Sequence, residues 1–292
     1  MLHCGIGGLA QLCQRVIMLD TTAQPTTIKM QRARGRAEVS LKADGSHTRL
    51  RNLHQSGSAK AFLPVVHTDV PEVVFLNTSG GLTGGDNMRF ALSLEAGTRA
   101  TGTTQTAERA YASPGGAAAM QVDLRVEAGA HLDWLPQETI LFNGSGLHRR
   151  TDVALDGDAS VLMVETVVLG RAAMRETVTA LDFHDMRRVT RDSVPVLLEP
   201  LALGSDSLAS AGRATHGAHR AFTTIALIQK GAEDAVEPVR RLMPDHLPSG
   251  ASGWDGKCVV RMAAPDAWPL KLAIAPILTH LRAAPLPRVW QL

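Results

Sequence analysis

Apolar and polar residues alternate over long stretches of this chain, and a period of two marks a strand with one buried face. In Met88–Glu95 the apolar Phe90, Leu92 and Leu94 share one side. The alternation recurs as a strand, a short acidic-glycine turn and a second strand. Val39–Gly45 runs into His47–Leu50, Leu92–Gly97 into Thr98–Thr101, Leu124–Gly129 into Ala130–Asp133, and Val153–Asp158 into Ala159–Leu162. The turn glycines Gly97, Gly129 and Gly157 return about every thirty residues, a spacing typical of stacked repeat units. Short strands repeating without helices between them predict an all-β (mainly β) fold. A stacked, β-helix or solenoid-like two-sheet arrangement is favoured over a sandwich of hairpins, although the repeat accommodates both.

Helical periodicity is confined to the C-terminal part, where about two α-helices are expected. Ala232–Leu242 is one, with Pro238 breaking or starting it. Leu270–Arg282 is the other, with Pro269 at its first turn and Pro276 kinking it or shifting its start. Gly250–Gly256 reads as a loop before a strand over Lys257–Met262. The Gly-, Ser- and Ala-rich residues from Leu201 to Gly217 read as an exposed connection. Residues 31–292 are expected to form a single β domain behind a mobile extension over residues 1–30.

Composition narrows the classes. At 292 residues and 45% hydrophobic the chain can bury a sizeable core, and a net charge of +2 gives no basic patch on the scale of nucleic-acid binding. One Tyr and six Phe leave few platforms for stacking bases. Cys4, Cys13 and Cys258 are odd in number and scattered, which fits a reducing compartment better than a disulfide framework. His3 beside Cys4 reads as incidental rather than as a metal ligand. Leu2–Leu19 is fairly apolar but lacks a basic start and is broken by Gln11, Gln14 and Arg15, so it reads as a poor signal peptide and as too polar to span a membrane. A translation start at Met18 or Met30 instead of Met1 is compatible with this reading. A soluble, cytoplasmic protein is expected.

The densest chemical signal is Asn77-Thr78-Ser79-Gly80-Gly81-Leu82-Thr83-Gly84-Gly85-Asp86. Two glycine pairs this close imply positive φ or close backbone approach, in a turn that positions Asp86. Phosphate cradling is the weaker reading, because the Lys-Ser/Thr ending of a P-loop is missing and a strand, not a helix, follows. Glu165 lies within the almost continuous apolar run Val164–Leu169, where a carboxylate must be paired, hydrogen-bonded or protonated. Glu138 sits beside Gln137 among bulky apolar neighbours, and Glu108 ends a hydroxyl-rich strand with Arg109. Bland alternatives stand beside each: Glu165 pairing with Arg171 or Arg109, Glu138 as an exposed turn residue after Pro136, and Asp86 capping its own turn. The histidines form no evident set, with His184 alone near Asp182 and Asp185, and HExxH, nucleophile-elbow and CxxC patterns are absent. A β-solenoid hydrolase or lyase using Asp86 and Glu165 as acid and base is the catalytic alternative.

Taken together, NTSGGLTGGD, TTQTAERAYAS, WLPQETILFNGSGLHRR and ETVVLGRAAMRE resemble the urease accessory protein UreD (UreH) family. Gln55–Lys60 and Leu286–Trp290 add to the likeness, which covers Arg32 to Leu292 in order. The resemblance implies a mostly β stack with two helices, and a scaffold without catalytic activity in nickel-urease maturation. Its implied partners are UreF, UreG through UreF, and the apo-urease subunits, with room for a homodimer inside the accessory complex. It also implies an internal water-filled channel lined by acidic groups that passes Ni2+ onward, with no tightly bound cofactor. By position in the motifs, Asp86, Glu165, Glu138, Glu108 and Glu176 are the channel candidates, Asp86 and Glu165 the transient nickel contacts, and Gly80, Gly81, Gly84 and Gly85 the structural turn. Arg175 stands where the family has glycine, Ala112 where an arginine is common, and Asn87 where some members carry an acid. Carboxylate and water suit a hydrated divalent ion that must be released again. The late helices and Pro287–Trp290 are candidates for the UreF contact.

Overall fold

The computed structural model describes residues 31–66, 68–210, 212 and 216–290, so the extension over residues 1–30, with Cys4, Cys13, His3, Met18 and Met30, lies outside the described residues. The chain runs β1 (Arg34–Asp44), β2 (His47–Gly57), β3 (Ala59–Phe62), β4 (Glu72–Asn77), β5 (Asn87–Leu94), β6 (Arg99–Thr104), β7 (Glu108–Ala110), β8 (Ala118–Val126) and β9 (His131–Leu135). It continues through β10 (Thr139–Leu141), β11 (Ser145–Leu155), β12 (Ser160–Leu169), β13 (Leu181–Arg191), β14 (Val194–Gly204), α1 (Ser205–Ala209), β15 (Ala221–Ile228), α2 (Val236–Leu242), β16 (Ser249–Trp254), β17 (Lys257–Ala264) and α3 (Ala267–Arg282). No described helix is long and apolar enough to cross a membrane.

The strands stack as two mixed sheets. One has the order β14-β13-β11-β8-β5-β1-β2 and the other β16-β17-β15-β12-β9-β6-β4-β3, with β7 and β10 forming a side ribbon on β12. Successive units step between them: β5 to β6, β8 to β9 and β11 to β12 each pass from the first sheet to the second. Within each sheet the repeating strands pair in parallel. The turns stack as well, with Gly97 donating its N–H to the Ala128 carbonyl at 3.0 Å and Gly129 donating to Asp158 Oδ1 at 2.6 Å. The stacked, solenoid-like arrangement is therefore the observed one.

The first predicted unit behaves differently. β1 and β2 pair antiparallel within one sheet, Asp44 opposite His47. Only Gly45 and Ser46 join them, and a two-residue loop folds a strand back on itself, whereas four residues separate β5 from β6, β8 from β9 and β11 from β12. Two further expectations are corrected. Ser249–Trp254 is a strand, not a loop, paired antiparallel along β17 at the sheet edge. Its glycines and its single buried residue, Ala251, give no alternating signal. Leu201–Gly204 belongs to β14, and α1 follows it.

Two apolar layers hold the stack. The first fills the space between the sheets, with Phe75, Phe90, Leu92, Trp134 and Phe183 fully buried. The second lies on the opposite face of the second sheet, where Leu162, Val164 and Ile225 meet Leu270, Ile274 and Ile277 of α3. Strand β12 is thus buried on both faces, which explains its nearly continuous apolar run. Each such side chain contributes about 1.5–3 kcal/mol by leaving water.

Helix α3 begins three residues earlier than predicted, with Asp266 accepting the Ala267 N–H at 2.6 Å, and continues through Pro276. Pro238 falls in the first turn of α2, preceded by a 3-10 turn over Ala232–Ala235. Polar anchors fix α3 and the chain after it. Arg282 Nε donates to Asp133 Oδ2 at 2.9 Å and its Nη2 to Thr101 Oγ1 at 2.9 Å. Trp290, one of the candidate partner-contact residues, is buried and donates to the Leu135 carbonyl at 2.9 Å, so this C-terminal aromatic packs within the fold and is not itself an exposed contact. Arg282→Ala leaves the buried Asp133 carboxylate with His131 and Thr101 alone and should cost about 3 kcal/mol, read as a lowered midpoint in urea unfolding.

Candidate functional site

Charged side chains interrupt the apolar layer between the sheets at one level. Arg149 on β11 and Asp185 on β13 are register partners with both side chains turned inward. The guanidinium grips Asp185 at two points, Nη2 to Oδ2 at 2.7 Å and Nε to Oδ1 at 3.0 Å. Its Nη1 donates to Thr139 Oγ1 at 2.9 Å and stands 2.8 Å from Glu165 Oε2. The Glu165 oxygen receives no well-aligned hydrogen bond, so this contact is one of charge. Glu165 reaches inward from β12 and accepts a second contact from Trp134 Nε1 at 3.3 Å. Glu165 therefore pairs with Arg149, not with Arg171 or Arg109; Arg171 pairs with Glu176 at 2.8 Å.

The charges extend in both directions. Arg187, one inward position beyond Asp185 on β13, lies 3.3 Å from Asp185 and 4.0 Å from Glu199. Glu199 is held by Thr224 Oγ1 at 3.1 Å and by Arg261 at 3.0 Å, and these residues border a groove of about 710 Å³. On the other side β10 carries Thr139 beside β7, which carries Glu108. Glu108 accepts from Asn77 Nδ2 at 3.3 Å and from the Arg109 N–H at 3.1 Å. It borders a cavity of about 50 Å³ that Met120, Gln137 and Thr139 also line.

Burial sets the protonation of these groups. Burial pushes the Glu108 carboxyl up to about 7, against the pull of Asn77, Arg109 and Arg149. Glu165 is also raised by burial, only partly offset by Arg149. Burial opposes ionisation of Asp185 as well, yet Arg149 and Arg187 hold it below the usual carboxylate range. Two carboxylates share one guanidinium, and the bidentate partner keeps the charge more firmly.

The other predicted residues lie elsewhere. Asp86 is buried in the glycine turn, its Oδ1 accepting the Ala33 N–H at 2.7 Å and its Oδ2 the Thr83 N–H at 2.8 Å. The carboxylate thus ties the turn to the start of β1. The glycines divide into two kinds: Gly80 and Gly85 hold φ at +82° and +86°, while a Cβ on Gly81 would lie 2.3 Å from the Tyr111 ring and one on Gly84 2.1 Å from Ser113 Oγ. The N–H groups of Leu82, Gly85 and Asp86 donate to the Arg109, Ala117 and Thr83 carbonyls, so they are committed within the protein rather than turned toward a phosphate. Glu138 is half-buried and its carbonyl accepts the Glu108 N–H. Glu176 lies in the segment after β12, bound to Arg171 and accepting the Asn143 N–H at 3.1 Å, and is lowered chiefly by the Arg171 hydrogen bond. Arg175 adopts the left-handed conformation, φ 49°, so the turn forms without glycine. Both Asp86 oxygens are taken up by backbone N–H groups and Glu165 is held by Arg149 and Trp134, which disfavours their use as an acid–base pair.

Two groupings escaped the sequence reading. Arg149, Asp185, Arg187 and Glu199 come together only through the pairing of β11, β13 and β14. His184 is not isolated: His148 stands opposite it, with Asp182 between the two rings. For both groups the available signal was a register offset of one coil, since Arg149 and Asp185 are 36 residues apart.

The pH dependence carries a definite sign. A carboxyl raised from 4.5 to about 7 stabilises the fold fully below 4.5, and that contribution fades as pH climbs through 7. Glu108→Gln should melt higher than the parent above pH 7, by on the order of 1–3 kcal/mol, with the two curves converging toward pH 4.5.

Comparison with known proteins gives consistent matches. Residues 33–291 match the family model described as UreD urease accessory protein. A urease accessory protein UreD from Cereibacter sphaeroides (strain ATCC 17025 / ATH 2.4.3) is 54% identical over 264 residues, covering 90% of this chain and 96% of the relative. The UreD of Dinoroseobacter shibae is 53% identical over 267 residues, with 90% and 94% covered. That of Rhizobium leguminosarum bv. viciae is 43% identical over 274 residues, with 93% and 100% covered.

Proposed function

This chain belongs to the UreD family of urease accessory proteins, and we propose that it serves as a non-enzymatic scaffold for nickel insertion into apo-urease. In this role it binds the urease subunits and UreF, recruits UreG through UreF, and works in the cytoplasm. A hydrated Ni2+ passes through its interior without being retained.

The observation that carries the reading is the line of carboxylates between the sheets, buried Glu165 and Asp185 flanked by half-buried Glu108 and Glu199, with a small cavity at one end and the large groove at the other. Oxygen donors and water hold Ni2+ less tightly than thiolate or imidazole sets, so the ion remains exchangeable. Arg149 and Arg187 cancel part of the negative charge and weaken the hold further. Glu108, poised near neutrality, releases its proton when the ion arrives and recovers it when the ion leaves. Glu165 shares its guanidinium with Asp185, and its Oε2, in contact with Arg149 but without an aligned hydrogen bond, is the oxygen it can turn to the ion. Asp86 acts here through the turn it clamps, not through a free carboxylate; Glu138 adjoins Gln137 at the small cavity, and Glu176 is held off the path by Arg171. Trp268 and Leu272, exposed and one turn apart on α3, offer a partner an apolar strip.

Co-expression of tagged protein with UreF, UreG and the urease subunits, followed by pull-down and a urease assay after nickel addition, tests this. The parent chain should recover the complex, and its deletion should abolish urease activity. Glu108→Gln combined with Glu165→Gln should leave the complex intact and lower activation several-fold. Full activation by that variant would remove the passage, and normal urease without this chain would remove the scaffold.

A further inference from the structure

A second polar group lies on the opposite face of the first sheet. His148 on β11 and His184 on β13 are register partners, and strand alternation turns both outward, away from Arg149 and Asp185. Their rings meet edge to face with centroids 4.8 Å apart. Asp182 precedes His184 by two residues on the same face and lies between Gly146 of β11 and Gly204 of β14 in register. With no side chain on either flank, its carboxylate reaches both rings, Oδ2 lying 3.1 Å from His148 Nε2 and Oδ1 3.2 Å from His184 Nε2.

The surroundings leave room for an ion. In the row across the sheet the neighbours of the two histidines are Ala119 and Ala202, both small and exposed. The three side chains are 53% to 62% exposed and can adjust. One ligand atom from each lies within 4.8 Å of the others, and two nitrogens bound at about 2.1 Å to one ion stand roughly 3–3.5 Å apart, so only a small closure is needed. The nearest outward arginines, Arg150 and Arg188, are both paired with Asp152, which lessens their repulsion of a cation.

We propose that His148, Asp182 and His184 form an open, solvent-loaded site for a divalent transition-metal ion such as Ni2+ or Zn2+, with water completing the coordination. Two imidazoles and one carboxylate select Ni2+, Zn2+ or Cu2+ over Mg2+ and Ca2+, which favour all-oxygen sets. The carboxylate lies between the two Nε2 atoms, where the ion would take the place of the hydrogen-bonded proton, which shifts to Nδ1 or leaves to solvent, and draw all three ligands inward. This site faces solvent and is separate from the interior carboxylates, so it stands whether or not ions cross between the sheets.

The test uses the full chain with its affinity tag removed, titrated with Ni2+ alone and in competition with Zn2+, together with the electron paramagnetic resonance spectrum of bound Cu2+. The parent should show coupling to two nitrogens in the Cu2+ spectrum. His148→Ala with His184→Ala should lose one equivalent of Ni2+ while keeping the parent's circular dichroism. Asp182→Asn should weaken that equivalent about tenfold or more. Glu165→Gln should keep it, which separates this site from the interior. A double-histidine variant with unchanged stoichiometry and affinity, or a parent Cu2+ spectrum without coupled nitrogens, would overturn the proposal.

Discussion

The Arg149 guanidinium carries a full charge in the space between the two sheets, and the nearby structure is arranged around it. Asp185 takes two of its edges, Thr139 accepts from a third, and Glu165 faces it from the opposing sheet. A charge taken from water at this depth is costly unless its partners are close and well oriented. Here the partners come from both sheets and from the β7–β10 ribbon. The contact therefore ties the register of β11 and β13 to the position of β12. It also sets the character of the interior. Toward β8 and β5 the same level is filled by Met120 and Met88, and toward β14 it opens through Arg187 and Glu199 to the groove.

Much of the architecture was legible because the physics behind it is local. Alternation predicted β5, β8 and β11, and the recurring glycine turns predicted the stacking. Loop length, a feature as local as the rest, decides why Val39–Leu50 closes into a hairpin while the later units step between sheets. The edge strand β16 was not legible, because a strand with one small buried side chain and three glycines in its neighbourhood has no period to detect. Its order comes from pairing with β17, a tertiary effect.

The site was legible in part. Glu165 stood out as a carboxylate in an apolar run, since such a residue demands a partner. The identity of that partner depended on which strands became neighbours. Arg149 lies within the motif WLPQETILFNGSGLHRR, yet nothing in the local pattern says that it points inward while Arg150 points out. Asp86 shows the converse. The glycine pairs correctly marked a tight turn, and the carboxylate they position turns out to be spent on backbone N–H groups. His148 and His184 looked unrelated for the reason Arg149 and Asp185 did, because parallel pairing joins residues one coil apart.

The buried charges have two separable consequences, holding the fold and guiding an ion, and one measurement divides them. Arg149→Met combined with Glu165→Gln removes both charges together and leaves Asp185 beside Arg187, so the stability cost of an orphaned ion is avoided. Urease activation by the assembled accessory complex carrying this variant would then be compared with that of the parent at equal recovery of the complex. If the interior carboxylates guide nickel, the variant assembles normally and activates urease poorly. Equal activation by a normally assembled variant would mean that the charged layer serves the fold alone.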